Sequence, residues 1–244
     1  MSCYVGHQVP NIIEIFSINT EVWVNNSAKY LVIQISMIFP IVISCFIIQY
    51  CAAQLTDAQR DEILNQHNLY RSSVVPEAAN MKKMEWSTCL EQVAYNYLKT
   101  CPGLAYNGDR SIQARDAGCM ESKYVGENLY WRSVPLTDVS KPIDLWHMEV
   151  ADYDYNTLSC SSICGHYTQV VWADSYLVGC AMYDATEHCN NGRSGTYFIC
   201  NYAPGGNYWG QKPYISGTSC SQCPNGFNTC VDGMCAKSPT AVGM

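Results

Sequence analysis

The chain carries 15 cysteines in 244 residues, and that density constrains the fold more than any other feature. Paired thiols persist in oxidising compartments, where disulfides staple domains against unfolding, so an ordinary reduced cytosolic domain is disfavoured. An odd number cannot pair completely within one chain. From Tyr30 to Ile48 the run YLVIQISMIFPIVISCFII carries no charge, follows Lys29 and ends near the small residues Cys51-Ala52-Ala53. An apolar stretch with a basic flank and a small-residue exit reads as a secretory signal cut after Ala53, and Pro40 in its middle favours removal over a retained anchor. Residues 1–28 ahead of it are polar and β-branched without a recognisable motif; an upstream start codon and a start at Met37 are both open readings. Taking away residues 1–53 removes Cys3, Cys45 and Cys51 and leaves twelve cysteines, an even number with room for six disulfides.

With 14 Lys and Arg against 21 Asp and Glu, the formal net charge is -7. Phosphate backbones are bound by neutralising them with Lys and Arg, so a nucleic-acid partner is excluded from the expected set. The chain's 48% hydrophobic residues suffice for one packed core. A capping-box pattern, Thr56-x-x-Gln59, opens a first helix through Arg71 with Ile63, His67 and Tyr70 on one face. Trp86, Leu90, Val93, Ala94, Tyr97, Leu98 and Cys101 recur at offsets of three and four and predict a second, stopped by Pro102-Gly103. From Ala105 to Gly126 no period is sustained, which reads as a long connection held by Cys119. A third helix starts at Ser140, with Pro142 in its first turn and Trp146, Glu149, Val150 and Tyr153 on one side. Tyr176 to Tyr183 and Thr196 to Tyr202 are β-rich runs around a turn at Asn190-Asn191-Gly192, an antiparallel pair. Helices first and strands later, without βαβ alternation, predict an α+β domain over residues 54–213. Residues 214–244 hold Cys220, Cys223, Cys230 and Cys235 and few large apolar residues, so they read as a small disulfide-stapled appendage.

Four strings carry more specific information: GENLY at 126–130, Trp146-x-x-Glu149, GHYTQVVWADS at 165–175 and YFICNYAPGGNY at 197–208. In this order they resemble the CAP superfamily of cysteine-rich secretory proteins, venom allergens and plant pathogenesis-related proteins, over residues 55–213. The resemblance implies an α-β-α sandwich with a three- or four-stranded antiparallel sheet between helical layers. It also implies a cleft lined by two His and two acidic residues, of which Glu127, Glu149 and His166 are three. Relatives carry the second His four or five residues after the cysteine that ends the second helix; here Ala105 or Tyr106 stands there. With a single imidazole in place, no bound metal and no cofactor are expected. His147 points away from Glu149 along a helix, and His188 is a remote substitute. Two carboxylates and a His can support acid-base chemistry in principle, but no activated Ser or Cys nucleophile is implied, and the alternative is a hydrogen-bonded network anchoring the third helix.

By resemblance to the plant members, Cys101 is expected to pair with Cys189, Cys160 with Cys164, and Cys180 with Cys200. Elimination then leaves Cys89 with Cys119, although four cysteines admit three connectivities. The tail resembles the hinge of animal cysteine-rich secretory proteins, which implies Cys220 with Cys230 and Cys223 with Cys235. The family also implies lipid contacts, a sterol at an aromatic loop near the cleft or a fatty acyl chain between two helices. Tyr130, Trp131, Tyr153 and Tyr155 are the candidates, while Trp86, Trp146, Trp172 and Tyr202 read as core. The expected function is a secreted, monomeric, non-enzymatic binding or signalling module for sterol or fatty acid, or for an extracellular receptor or channel. The alternatives are a venom-type channel or receptor modulator acting through its tail, and a hydrolase using Glu127, Glu149 and His166.

Overall fold

The computed structural model describes residues 55–119, 124–185, 189 and 194–238. The signal-like run, the cut after Ala53, the turn at 190–192 and His188 lie outside the described residues. No helix among the described residues is long and apolar enough to cross a membrane.

Helix α1 (Asp57–Ser72) begins with the capping box: the Gln59 N–H donates to the Thr56 hydroxyl and the Thr56 N–H donates to the Gln59 side chain. Its inner face buries Ile63, His67, Asn68 and Arg71. Three of these are polar, and each is held by specific bonds. His67 donates from Nδ1 to the Ile63 carbonyl at 2.8 Å and accepts the Tyr202 hydroxyl at Nε2 at 2.9 Å. Burial pulls its pKa down to about 4, so it sits neutral in the core. Asn68 trades two hydrogen bonds with the Met84 backbone. Arg71 is 1% exposed, and its guanidinium donates to the carbonyls of Lys82, Val170, Trp172, Ala173 and Ser175 at 2.6–3.3 Å.

The sheet forms around β6 (Thr196–Ala203), which lies between β5 (Leu177–Asp184) and β2 (Gly126–Arg132) and runs antiparallel to both. The two-residue β1 (Glu85–Trp86) joins β5 in parallel, giving the order β1-β5-β6-β2. Every residue of β6 is buried, which requires cover on both faces. Phe198, Cys200 and Tyr202 face Ile63 of α1, Ile143 and Trp146 of α4 (Lys141–Met148), and Tyr167 and Val170 of α5 (Gly165–Val170). Tyr197 and Ile199 face Ala94 and Leu98 of α2 (Thr88–Leu98). Successive side chains of a strand point to opposite faces, so this alternation makes an α-β-α sandwich. Helix α2 lies so close over β5 that a Cβ at Gly179 would overlap the Glu91 nitrogen and the Ser87 oxygen.

Several elements differ from expectation, each for a local reason. The connection between 105 and 126 contains a short helix, α3 (Arg110–Asp116), which buries only Ala114 and so leaves no periodic trace. Helix α2 is shorter at both ends than the apolar stripe: Trp86 belongs to β1, Ser87 caps the helix, and Cys101 lies past its end at φ 57. Helix α4 stops at Met148; Glu149–Asp152 tighten into a 3-10 turn, and Tyr153–Asp154 form β3, paired with β4 (Ser159–Cys160). Of the four aromatics read as core, Trp146, Trp172 and Tyr202 are buried, whereas Trp86 is half-buried and donates its indole N–H to Glu91.

Six disulfides join Cys89–Cys119, Cys101–Cys189, Cys160–Cys164, Cys180–Cys200, Cys220–Cys230 and Cys223–Cys235. The last two staple β7 (Thr229–Val231) and β8 (Met234–Ala236). This tail is more than an appendage. Met234 and Tyr214 enter the main core, and backbone bonds from Ala79, Lys83 and Gln222, with Cys235 N–H to Met81, fasten it to residues 77–83.

Replacing Arg71 by Met keeps the volume but strips the donors from five carbonyls. The expected loss is about 3 kcal/mol or more in urea denaturation of the disulfide-intact protein. A loss below about 1 kcal/mol, the net worth of a single hydrogen bond, would mean that this network does not organise the core.

Candidate functional site

A cleft of about 290 Å³ opens beside the first turn of α5 and the start of β2. His166 enters it from α5 because Gly165 begins that helix immediately after the Cys160–Cys164 loop. Glu149, at the end of α4, holds the ring from behind: its Oε1 lies 2.6 Å from His166 Nδ1, and its Oε2 accepts the backbone N–H groups of His166 and Tyr167 at 3.0 and 3.2 Å. One carboxylate thus orients the imidazole and satisfies two otherwise unpaired amides of a helix start. Trp146 stacks on the same ring at 6.1 Å between centroids. With Nδ1–H donated to Glu149, Nε2 is the acceptor that faces the cleft.

That acceptor is occupied by the protein itself. The Tyr106 hydroxyl lies 3.2 Å from His166 Nε2. Burial, with the carboxylates of Glu127 and Glu149, pushes the Tyr106 phenol above its usual range, so it remains a protonated donor. The next residue, Asn107, donates its backbone N–H to Glu127 Oε1 at 2.8 Å. Glu127 Oε2 is buried and has no hydrogen-bond partner. Burial raises the Glu127 carboxyl to about 7, opposed by the Asn107 bond and by Arg110. Arg110 does not bond Glu127; it donates to the carbonyls of Val125 and Asn107 at 2.7 Å each and lies over the Tyr124 ring.

The far wall is built by polar residues of the two long motifs. Gln169 accepts the Gly206 N–H and donates to Ser175, while Asn207 accepts the Thr168 hydroxyl and donates to the Gly165 carbonyl. These bonds lock the loop after β6 against α5. The rim is apolar: Tyr106, Tyr124 and Ile163 line the cleft, all exposed, and Tyr208 packs at a tilt against Tyr124.

The profile of the cysteine-rich secretory protein family (CAP) matches residues 64–202. GLIPR1-like protein 1 of Bos taurus is 40% identical over 178 residues, covering 72% of this chain and 70% of that protein. The chain belongs to the CAP family. Cysteine-rich secretory protein 3 of Equus caballus, another CAP relative, is 36% identical over 195 residues, covering 78% and 74% of the two chains. Among solved structures, that titled NaASP2 with Zn2+ shares 27% identity at a TM-score of 0.58, covering 75% of this chain and 97% of that one.

The zinc in that CAP structure invites a test of the donors here. Zinc takes three or four nitrogen, sulfur or carboxylate ligands. The described part of this CAP cleft offers one imidazole, with one nitrogen committed to Glu149 and the other to Tyr106, and both oxygens of Glu149 are engaged. His67 is sealed in the core, and His147 stacks on Tyr70 at 3.7 Å. The one cluster of three ligand-type side chains at metal spacing among the described residues is Cys220, Cys223 and Cys235, all in disulfides. The described residues do not fit a zinc site.

The structure thus gathers Glu127 and His166 in one cleft, with Glu149 beneath, and places the four aromatic candidates elsewhere. Tyr130 and Trp131 pack against the two cores of the sandwich. Tyr153 packs on Tyr167, and Tyr155 stacks on Tyr214 and donates to its carbonyl. Tyr155 lines a second cavity, of about 460 Å³, where the tail departs. Tyr124, Ile163 and Tyr208 were not singled out in the sequence, because an exposed aromatic or aliphatic side chain on a loop has no periodicity to betray it.

Glu127 supplies a pH test with a defined sign. A carboxyl whose folded pKa is raised favours the folded state when protonated, so its contribution is complete below about 4.5 and is lost as pH rises through about 7. Relative to Glu127→Gln, the native protein should lose about 3 kcal/mol of stability across that window. Denaturation midpoints of the two proteins, compared through the same pH range, check this.

Proposed function

We propose that this chain is a secreted, non-enzymatic CAP protein that binds a small ligand with an apolar body, a sterol or a fatty acid, at the cleft over His166. The observation that carries the reading is the composition of the cleft: a rim of Tyr106, Tyr124 and Ile163, with Tyr208 packed against Tyr124 outside it, around a floor whose hydrogen-bonding groups are largely spent on one another. Pockets that hold small ligands are built this way, with apolar walls and few polar groups. Six disulfides support an oxidising, extracellular setting.

Tyr106, His166 and Glu149 do reproduce the order of a nucleophile, a base and an orienting carboxylate. The nucleophile in that series would be a phenol whose pKa is pushed up, the reverse of activation. This weighs against the hydrolase reading. A modulator acting through a free tail is weakened by the docking of β8 on residues 81–83. A fatty acyl chain between α1 and α4 meets a filled seam, where Tyr70 stacks on His147 and both Tyr70 and Gln66 donate to Asp144.

Titration of the purified protein with fluorescent cholesterol and a fluorescent fatty acid tests the reading. Saturable binding of one of them is expected, weakened at least about tenfold by Ile163→Asp and retained in His166→Ala. Absence of saturable binding for both, or turnover of an ester or peptide substrate that His166→Ala abolishes, would overturn it.

A further inference from the structure

We propose that the cysteine-rich tail is a redox-gated zinc site: with both of its disulfides opened by a thiol reductant, Cys220, Cys223, Cys230 and Cys235 hold one Zn2+ as four thiolates, and reclosing the disulfides releases it. The first observation is spacing. Cys220-x-x-Cys223 and Cys230-x-x-x-x-Cys235 are two short pairs of the kind from which tetrahedral four-cysteine zinc sites are built. The second is geometry. The sulfurs of Cys220, Cys223 and Cys235 lie within 4.8 Å of one another. Cys230 is bonded to Cys220 and stands opposite Cys235 across the β7–β8 ladder. Sulfurs around a single zinc ion sit about 3.8 Å apart, as tetrahedral bonds of about 2.3 Å require. The fold therefore gathers the four sulfurs at close to the spacing that zinc needs.

The disulfides are not all that holds them there. The Cys235 N–H donates to the Met81 carbonyl at 2.7 Å, the Lys83 N–H to the Cys235 carbonyl at 2.9 Å, and the N–H of Gln222, beside Cys223, to the Ala79 carbonyl at 2.9 Å. Met234 is buried in the main core. Both arms of the cluster are thus pinned to residues 79–83 by bonds that reduction leaves intact. Closed, each sulfur is bonded to another sulfur and offers no thiolate. Cys230 is exposed and gives a reductant its entry. Attack there frees the Cys220 thiolate beside the second disulfide, Cys223–Cys235. Opening both disulfides consumes four equivalents of a monothiol, which leave as two equivalents of its own disulfide. Zinc then displaces four protons from the four protein thiols. Reclosure passes four electrons from the sulfurs to a disulfide oxidant, and Zn2+ departs with its charge unchanged.

The proposal is independent of the ligand reading of the cleft. Its probes are cobalt(II) chloride, whose visible spectrum marks tetrahedral thiolate ligation, and zinc chloride, added without oxygen to the full chain reduced by a phosphine. Differential alkylation with peptide mass spectrometry identifies the open cysteines, and circular dichroism follows the fold. With the four tail cysteines open and Cys180–Cys200 closed, the chain should stay folded and bind one cobalt ion that zinc displaces. Affinity for zinc should exceed that of the oxidised chain at least about a thousandfold. Cys220→Ser/Cys223→Ser should lose the cobalt–thiolate bands, and Cys160→Ser/Cys164→Ser should keep them. Thiolate bands that persist in Cys220→Ser/Cys223→Ser, a folded chain with an open tail that takes up no metal, or loss of the fold when the tail opens would each overturn the proposal.

Discussion

The guanidinium of Arg71 is the interaction on which the rest of the architecture depends. A buried charge is tolerated only when its hydrogen-bonding capacity is matched, and here five carbonyls converge on one planar fork. Two of them, Val170 and Trp172, close the end of α5, and three more come from the turns at Lys82, Ala173 and Ser175. The Lys82 N–H also donates to the Ala173 carbonyl, joining two of these turns, and next to Lys82 the tail docks, the Lys83 N–H donating to the Cys235 carbonyl and the Cys235 N–H to that of Met81. Arg71 thus fixes α5 from its C-terminal end while Glu149 fixes it from its N-terminal end. His166 occupies the first turn of a helix held at both ends.

From that fixed helix a continuous polar path runs through the core. The Asn128 amide donates to the His166 carbonyl and to the Tyr202 hydroxyl, which in turn donates to His67 on α1. A partly satisfied buried network is costly, so each member restricts the next, and the position of the cleft is settled by groups that never touch a ligand. What the cleft presents outward is correspondingly spare: a capped imidazole and an apolar rim, with the unpartnered oxygen of Glu127 buried beneath them. Such a surface fits recognition of an apolar body better than bond cleavage, which is the basis of the binding role proposed for this CAP chain.

Much of this was legible in the sequence where a residue carried a local rule. The capping box at Thr56 and Gln59 and the β-rich run from Thr196 to Tyr202 follow from short-range pattern, while Glu127, Glu149 and His166 were placed by the resemblance to the CAP family. The illegible parts depend on distant partners. Helix α3 buries a single alanine, β1 is two residues long and pairs ninety residues away with Leu177 and Val178, and the tail's Met234 joins a core it cannot build alone. Tyr106 was visible only as a departure from the resemblance. That it turns inward to the imidazole is set by the Asn107–Glu127 bond, which no local pattern announces.

The central claim, that the His166 ring is clamped between Glu149 at Nδ1 and Tyr106 at Nε2, is open to one direct measurement. Long-range proton–nitrogen correlation NMR of imidazole-labelled protein reports which ring nitrogen carries the proton and whether the other accepts a hydrogen bond. At neutral pH the account predicts a protonated Nδ1, an Nε2 shifted as a hydrogen-bond acceptor, and a change in the Nε2 signal alone when Tyr106 is replaced by Phe. A proton on Nε2, or a spectrum unmoved by Tyr106→Phe, would contradict it.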